Sequence, residues 1–247
     1  MGTTLGNSPI DLLMYADDIV LMSLSEEGLR KHEISGEFCD QWKLMVNKEK
    51  PKYVPLGKSR SLSHFSFKSN DLEIIQTYKY LGVWITTNGN YNKSQQAQAD
   101  QGKKAIFALQ RLIVKLKYHP ISIALKLFDV MILPVLSYGC ELWGQAVNPE
   151  LDAIEIHFLE YILNLPQSAT NMAVSGELGQ LPLHLLWRER ILHYWNRLCS
   201  DEIPDLLREA FHLASWMHQS GKTTWVSKVK ELFDKAGMSF AKAVSEK

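Results

Sequence analysis

Two adjacent carboxylates, Asp17 and Asp18, are the residues whose type and setting most strongly suggest chemistry. They stand between two short apolar runs, LLMY before Ala16 and IVLM after Asp18. Like charges in an apolar setting raise each other's pKa unless a cation neutralises them. Mg²⁺, held by one or two carboxylates plus substrate phosphates, would suit such a pair. A bare Asp-Asp pair is more often an exposed acidic turn, because turns favour aspartate.

The elements that must position this pair can be predicted from the flanking sequence. An apolar run on each side of a tight polar turn predicts a β-hairpin, and these apolar flanks make it a core element that directs both carboxylates to one spot. Ser25 follows as a predicted helix N-cap. Apolar residues then recur at near-helical spacing, which predicts an amphipathic helix over 26–45.

The rest of the chain changes from β-like to helical near residue 91. From 52 to 86 the runs are β-like, with turns predicted at Asn70-Asp71 and Asn88-Gly89-Asn90. Helices are predicted over 93–117, 120–144, 149–164, 182–199, 204–218 and 222–236. One helical stripe is typical of core packing and comprises Leu183, Trp187, Ile191, Tyr194 and Leu198. The predicted class is α+β, a small antiparallel sheet with one helix followed by a larger helical region.

Composition excludes several classes of protein and reveals an uneven distribution of charge. The 46% hydrophobic content excludes a disordered tail, a collagenous repeat and a disulfide mini-scaffold. Basic and acidic residues balance at 27 each, yet residues 28–117 hold 16 basic and 7 acidic side chains. A polyanion could therefore bind the middle of the chain locally.

Cysteine usage and hydropathy indicate a reduced, intracellular protein. The three cysteines are far apart and match neither a zinc knuckle nor a redox CxxC, which favours free thiols. The N-terminus lacks the features of a signal peptide. The most apolar stretch, 121–143, contains Lys126 and Asp129, so we interpret it as a buried helix rather than a membrane span.

Tyr15-Ala16-Asp17-Asp18 resembles the YxDD box of reverse transcriptases. Four later segments are similar, in order, to the polymerases of non-LTR (LINE-type) retrotransposons. They are WKLMVNKEK at 42–50, YLGV at 80–83, LPVLSYGCELW at 133–143, and GELGQLPL at 176–183 followed by Arg188 and Arg190. Together the matches extend from residue 10 to about residue 200.

The resemblance implies RNA-directed DNA synthesis by the two-metal route, with Mg²⁺ as cofactor and an RNA template and DNA primer as partners. By residue-to-residue transfer, Asp17 is a metal ligand and Asp18 a supporting carboxylate. Tyr15 lies under the primer terminus, and Lys50 faces the triphosphate of the incoming nucleotide. The primer grip is formed by Tyr80, Leu81 and Gly82.

The resemblance also implies three segments: a late part of the palm over 1–90, a helical thumb over 91–145 and a C-terminal helical region over 146–247. Basic residues on or beside the thumb helix would follow nucleic-acid phosphates. They are Lys93, Lys103, Lys104, Arg111, Lys115 and Lys117. On charge alone, a solvated helix face is an equal alternative.

Several departures from the family lead us to expect that the chain alone is catalytically inactive. The family's active site needs a further aspartate from an upstream strand, and Asp11 lies roughly 20 Å from Asp17 along an extended strand. Lys43 stands where the family usually has glycine, and Pro51 where it often has threonine. Whether another chain supplies the N-terminal polymerase half stays open, and a nuclear location is implied by the resemblance only.

Other functions remain as alternatives. The chain could be a non-catalytic helical module that binds RNA, DNA or protein, or a relic of an element with no function. An unrelated metal-dependent hydrolase would need histidine and acidic ligands at coherent spacings. The eight histidines show no such spacing, among them His157, His184, His193, His212 and His218.

Overall fold

The structure is a computed structural model that divides into two compact units. It describes residues 4–5, 8–9, 12–23, 25–31, 41, 43, 51–57, 65–67, 70–115, 120–166, 169–200 and 202–237. The first unit comprises Met1–Asn90 with Ile203–Ser220, and the second comprises Tyr91–Glu202 with Gly221–Lys247. Helices and short, mainly antiparallel strand pairs occur together in the described part, in agreement with the predicted α+β class.

The first unit contains the described strands. They are β1 (Thr4–Leu5), β2 (Ser8–Pro9), β3 (Leu12–Tyr15), β4 (Asp18–Leu21), β5 (Lys52–Tyr53), β6 (Ser66–Phe67), β7 (Asn70–Asp71), β8 (Glu73–Ile74), β9 (Thr77–Tyr80) and β10 (Val83–Thr86). Antiparallel pairs form between β1 and β2, β3 and β4, β6 and β7, and β9 and β10. The pair β5 and β8 is parallel. Within the described ranges, separate strand pairs thus replace the single small sheet that was expected.

Two turn predictions for this region have different outcomes. The turn predicted at Asn70-Asp71 is wrong, because these residues form β7 and pair with Ser66–Phe67. The turn predicted at Asn88-Gly89-Asn90 is confirmed: Gly89 has a φ of +70°, and its N–H donates to the Thr86 carbonyl at 3.0 Å.

The described part of the first unit includes the helices α1 (Glu26–Lys31) and α9 (Asp205–Gln219). The Ser25 cap is confirmed, since its Oγ accepts a hydrogen bond from the Gly28 N–H at 3.1 Å. The helix predicted over 26–45 does not continue through Lys43. That residue has a φ of +53°, and a left-handed residue interrupts a right-handed helix.

The second unit is helical. Its helices are α2 (Asn92–Lys115), α3 (Ile121–Met131), α4 (Leu133–Leu136), α5 (Cys140–Trp143), α6 (Pro149–Leu163), α7 (Asn171–Leu178), α8 (Leu183–Leu198) and α10 (Trp225–Lys235). The helix predicted over 120–144 divides into three because Pro134 cannot donate a backbone hydrogen bond and Gly139 has a φ of +70°. Helix α7 was not predicted. Within the described ranges, no helix is both long enough and apolar enough to cross a lipid bilayer.

The segment LPVLSYGCELW at 133–143 contributes residues to the hydrophobic core of the second unit. Leu136, Cys140 and Trp143 are buried there. The indole of Trp143 meets that of Trp187 edge to face, with ring centroids 5.1 Å apart. The fully buried Trp187 donates its Nε1–H to the Ser137 Oγ at 3.0 Å. Two side chains of this segment therefore pack against or hydrogen-bond to the buried Trp187.

The stripe predicted on α8 is largely confirmed. Leu183, Trp187, Ile191 and Leu198 are buried. Trp195 is buried as well, whereas the neighbouring Tyr194 is half-buried. The stripe is hydrophobic core, as the periodicity indicates.

Candidate functional sites

The acidic pair lies at the tip of the hairpin formed by β3 and β4. Tyr15 pairs with Asp18, so Ala16 and Asp17 make a two-residue turn. Ala16 has a φ of +52°, a left-handed conformation that costs an alanine about 1 kcal/mol. Asp17 and Asp18 are both exposed. The predicted hairpin is confirmed, and at its exposed tip Asp17 lies in the turn and Asp18 begins β4.

The prediction that this hairpin is a core element is wrong. Leu12, Met14, Tyr15 and Ile19 are 45%, 63%, 64% and 48% exposed. No other described strand joins the β3–β4 pair, so no longer sheet shields these side chains from water. The hairpin tip faces solvent rather than an apolar interior.

The described residues do not complete a metal site around the acidic pair. Among them, no group of three or more histidine, cysteine, aspartate or glutamate side chains is arranged to hold a metal ion. A two-metal centre needs several oxygen ligands at close range, and Asp17 and Asp18 supply only two side chains. The Mg²⁺ that the resemblance implies therefore does not fit the described residues alone.

Two of the predicted site lysines lie outside the described residues. They are Lys50, expected beside the incoming triphosphate, and Lys117, expected on or beside the thumb helix that the resemblance implies. Of the segment 42–50 only Lys43 is described. The prediction that Lys50 lies beside the incoming triphosphate therefore rests on the sequence alone.

The three residues of the predicted primer grip form a second hairpin tip. Tyr80 pairs with Val83 across β9 and β10, so Leu81 and Gly82 make the turn. Their φ values are +45° and +83°, the pattern of a type I′ turn, which fits the right-handed twist of the two strands. The glycine suits this conformation, whereas leucine is strained in it. Leu81 is 37% exposed, so an apolar side chain lies at the tip.

Helix α2 carries most of the predicted nucleic-acid contacts. Its buried residues recur every three or four positions, among them Ala99, Ile106 and Leu109. The basic side chains lie away from that stripe and are exposed. They are Lys93, Lys103, Lys104, Arg111 and Lys115. Between 101 and 115 the helix has no acidic residue, so all its charged side chains there are basic.

Lys103 of α2 forms an ion pair with a residue of α6. Its Nζ lies 2.6 Å from Glu150 Oε1 on α6. This hydrogen bond raises the pKa of Lys103 and lowers the pKa of Glu150. A charge neutralised within the protein contributes less to phosphate binding, so we expect Lys103 to contribute little to it.

An open groove of about 410 Å³ runs beside the cationic face of α2. Its lining combines aromatic, basic and amide side chains: Phe107, Gln110, Arg111, Val114 and Lys115 of α2, and Tyr161 of α6. Phe107, Val114 and Tyr161 are 63%, 72% and 39% exposed. The Arg111 guanidinium carbon lies 6.0 Å from the centre of the Phe107 ring, within cation–π range.

Sequence reasoning did not identify the apolar members of this groove. Phe107 and Val114 are seven residues apart, and neither is in phase with the buried stripe of α2. Their position outside the buried stripe was the sequence signal that could have identified them as surface residues. No sequence signal indicated Tyr161, because its proximity to α2 depends on the packing of α6.

A buried carboxylate on α6 has a structural role at the start of α8. Glu155 is 3% exposed, and one of its oxygens accepts a hydrogen bond from the Leu183 N–H at 3.2 Å. Burial raises the pKa of Glu155 to about 7, and the charges of Asp152 and Asp129 add to the rise. Asp152 also contacts His184 Nδ1 at 3.1 Å. The cluster caps a helix whose preceding Pro182 offers no side-chain cap.

Comparison with known proteins finds no similarity: no family model matches the chain, and no curated protein or solved structure does so either.

Proposed function

We propose that the chain carries the later palm and the thumb of an RNA-directed DNA polymerase of the non-LTR retrotransposon type, and that without a further carboxylate it binds nucleic acid but does not extend a primer. The β3–β4 hairpin carries this proposal. Its Tyr-Ala-Asp-Asp sequence presents two adjacent carboxylates at an exposed two-residue turn. An exposed tip leaves both carboxylates accessible to a primer terminus and a nucleotide.

The β9–β10 hairpin supports the same proposal. Its turn holds Leu81 and Gly82 in a left-handed conformation, and the glycine lets another backbone approach closely. Such a tip is suited to contact a primer strand through its backbone and one apolar side chain. Both hairpins belong to the first unit.

The proposed lack of catalysis follows from ligand number. Two carboxylates from neighbouring residues cannot fix two cations in the geometry that in-line nucleotidyl transfer requires. The part of the chain that the structure describes offers no third metal ligand near them. Catalysis therefore depends on a carboxylate from elsewhere.

Primer extension tests this proposal directly. The purified chain is incubated with Mg²⁺, deoxynucleotides, an RNA template and an annealed DNA primer. Asp17→Asn is compared with Asp234→Asn, which removes an exposed carboxylate on α10 of the second unit. We expect no extension. Extension lost in Asp17→Asn alone would refute the lack of catalysis and support the polymerase, whereas extension that survives Asp17→Asn would refute the role of the acidic pair.

Nucleic-acid binding is a second, separable activity, favoured by the cationic outer face of α2. Phosphate contacts from Lys and Arg make affinity fall with salt, by about 0.7 in logarithmic slope for each contact to a single strand. We expect salt-dependent binding of RNA or DNA that survives Asp17→Asn, because α2 lies in the other unit. A protein-binding module or a functionless relic predicts no such affinity.

A triple variant identifies the surface responsible. Lys104→Ala, Arg111→Ala and Lys115→Ala together should weaken binding and reduce the salt slope by about 2. The matched control removes three exposed lysines of the same unit by Lys222→Ala, Lys230→Ala and Lys235→Ala. Equal losses in the two triple variants would show that net charge, not the face of α2, governs binding.

A further inference from the structure

We propose that the groove between α2 and α6 is a base-stacking site for single-stranded nucleic acid, with Phe107 as its platform. This inference rests on the nucleic-acid binding proposed above and adds a contact to the base itself. The relevant observation is an exposed aromatic ring beside a cationic side chain at the edge of an open cavity.

The size and lining of the groove match a nucleotide. A volume of about 410 Å³ lies within the range of roughly 300–1,000 Å³ typical of small-molecule sites. Phe107 and Tyr161 provide aromatic surfaces on which any base can stack. Gln110 provides an amide that can donate and accept hydrogen bonds at a base edge.

Charge selects an anionic occupant. Arg111 and Lys115 line the same groove as the two aromatic rings, one turn of α2 apart, and Lys104 lies two turns before Arg111 on the exposed side of the helix. A strand that stacks a base on Phe107 thereby brings its phosphates to these cations. An apolar peptide would gain nothing from them.

Single strands fit this site better than duplexes. In a duplex the bases are already stacked on their neighbours, and their faces are not available to a side chain. In a single strand each base has an accessible π face, so aromatic stacking tolerates any sequence. The groove therefore predicts a preference for single strands with little preference for base identity.

The exposure of Phe107 makes the site testable by a mild substitution. The ring is 63% exposed, so its replacement removes little core packing. Phe107→Leu keeps an apolar side chain and removes the aromatic face. Trp216→Leu is the matched control, since it removes a 59% exposed ring from α9 of the other unit.

The experiment measures affinity for oligo(dT) and for an abasic strand of equal length by fluorescence anisotropy. Both strands have the same phosphates, but only oligo(dT) has bases. We expect the wild type to favour oligo(dT) about tenfold or more. Phe107→Leu should lose about tenfold toward oligo(dT) and nothing toward the abasic strand, with an unchanged salt slope, while Trp216→Leu should match the wild type.

Three results would overturn the stacking site. If the wild type binds both strands equally, or if Phe107→Leu weakens both by the same factor, bases do not stack on Phe107, although nucleic-acid binding stands. If the wild type binds neither strand at low salt, the proposed nucleic-acid binding fails and the stacking site fails with it. Thermal unfolding of each variant confirms that it is folded.

Discussion

Tyr15 and Asp18 lie directly opposite each other across β3 and β4. This pairing leaves only Ala16 and Asp17 for the turn, so the two carboxylates occupy the turn and the first position of the returning strand. The backbone at Ala16 is left-handed, with a φ of +52°. The chain adopts this strained conformation at the residue that immediately precedes the acidic pair because a tight two-residue hairpin turn needs a positive φ at its first residue.

The second hairpin contains a similar strain at Leu81, whose φ of +45° is unfavourable for leucine. Leu81→Asn should raise the free energy of unfolding of the first unit by about 1 kcal/mol, because asparagine tolerates this conformation and Asn-Gly favours a type I′ turn. If Leu81 contacts a primer, the same variant should bind a recessed RNA–DNA hybrid more weakly. Chemical denaturation and anisotropy measure the two effects.

Gly82→Ala is the counterpart of that substitution. Gly82 has a φ of +83°, and a Cβ there is strained, so this variant should lower the unfolding free energy by about 1 kcal/mol. If Leu81→Asn destabilises the unit as much as Gly82→Ala does, the left-handed turn is not the source of the strain.

Burial predicts that truncating one phenylalanine of the second unit greatly lowers the free energy of unfolding, whereas truncating another hardly changes it. Phe158 is fully buried and stacks on Phe128 with ring centroids 5.0 Å apart. Phe158→Ala should lower the free energy of unfolding by about 3–5 kcal/mol, whereas Phe107→Ala should change it by about 0.5 kcal/mol or less. Urea denaturation followed by circular dichroism measures both. Equal losses would mean that Phe107 is a packing residue and not an exposed platform.

The buried Glu155 makes stability depend on pH. Because its pKa in the folded state, about 7, lies above the ordinary value of 4.5, the folded state favours the protonated acid. The stabilisation that Glu155 contributes to the folded state is complete below about pH 4.5 and is lost as pH rises through 7. At its largest it amounts to about 3 kcal/mol.

Glu155→Gln isolates this effect. Glutamine keeps a carbonyl oxygen to accept the Leu183 N–H and cannot ionise. The free energy of unfolding of the wild type should therefore fall relative to that of Glu155→Gln between pH 5 and pH 8. A constant difference in the free energy of unfolding between the two proteins over this range would show that folding does not change the pKa of Glu155.

Cys140 should be unreactive in the folded protein. Its side chain is fully buried, and burial raises the pKa of the thiol to about 12, so almost no thiolate is present at pH 8. Iodoacetamide followed by peptide mass spectrometry should modify Cys140 only after unfolding in guanidinium. Cys199 is half-buried and provides the comparison. Rapid modification of folded Cys140 would contradict the packing around Trp187.

Local rules predicted the elements near the acidic pair, because their causes are local. Ser25 is followed by a helix because its hydroxyl caps the Gly28 N–H. The apolar runs around Asp17 favour strands on either side of a turn. Their burial could not be predicted in the same way, since an apolar strand is buried only if another element covers it.

Helices with a clear apolar period were predicted, and one without it was missed. The stripe of α8 follows the 3.6-residue repeat closely. Helix α7 has no apolar stripe with this repeat. It ends at Gly179, which has a φ of +63°. The groove on α2 was missed for a related reason: Phe107 is on the helix's outer side, and its partner Tyr161 comes from a different part of the sequence.

The central claim is that the two hairpins contact the primer end. A recessed RNA–DNA hybrid with a photoreactive thymidine at the primer 3′ terminus tests it without requiring catalysis. After irradiation, crosslinked peptides are mapped by mass spectrometry. We expect crosslinks within 12–21 and 77–86 that weaken in Leu81→Asn. Crosslinks confined to α2, or evenly distributed over the chain, would contradict the assignment of the hairpins to a polymerase palm.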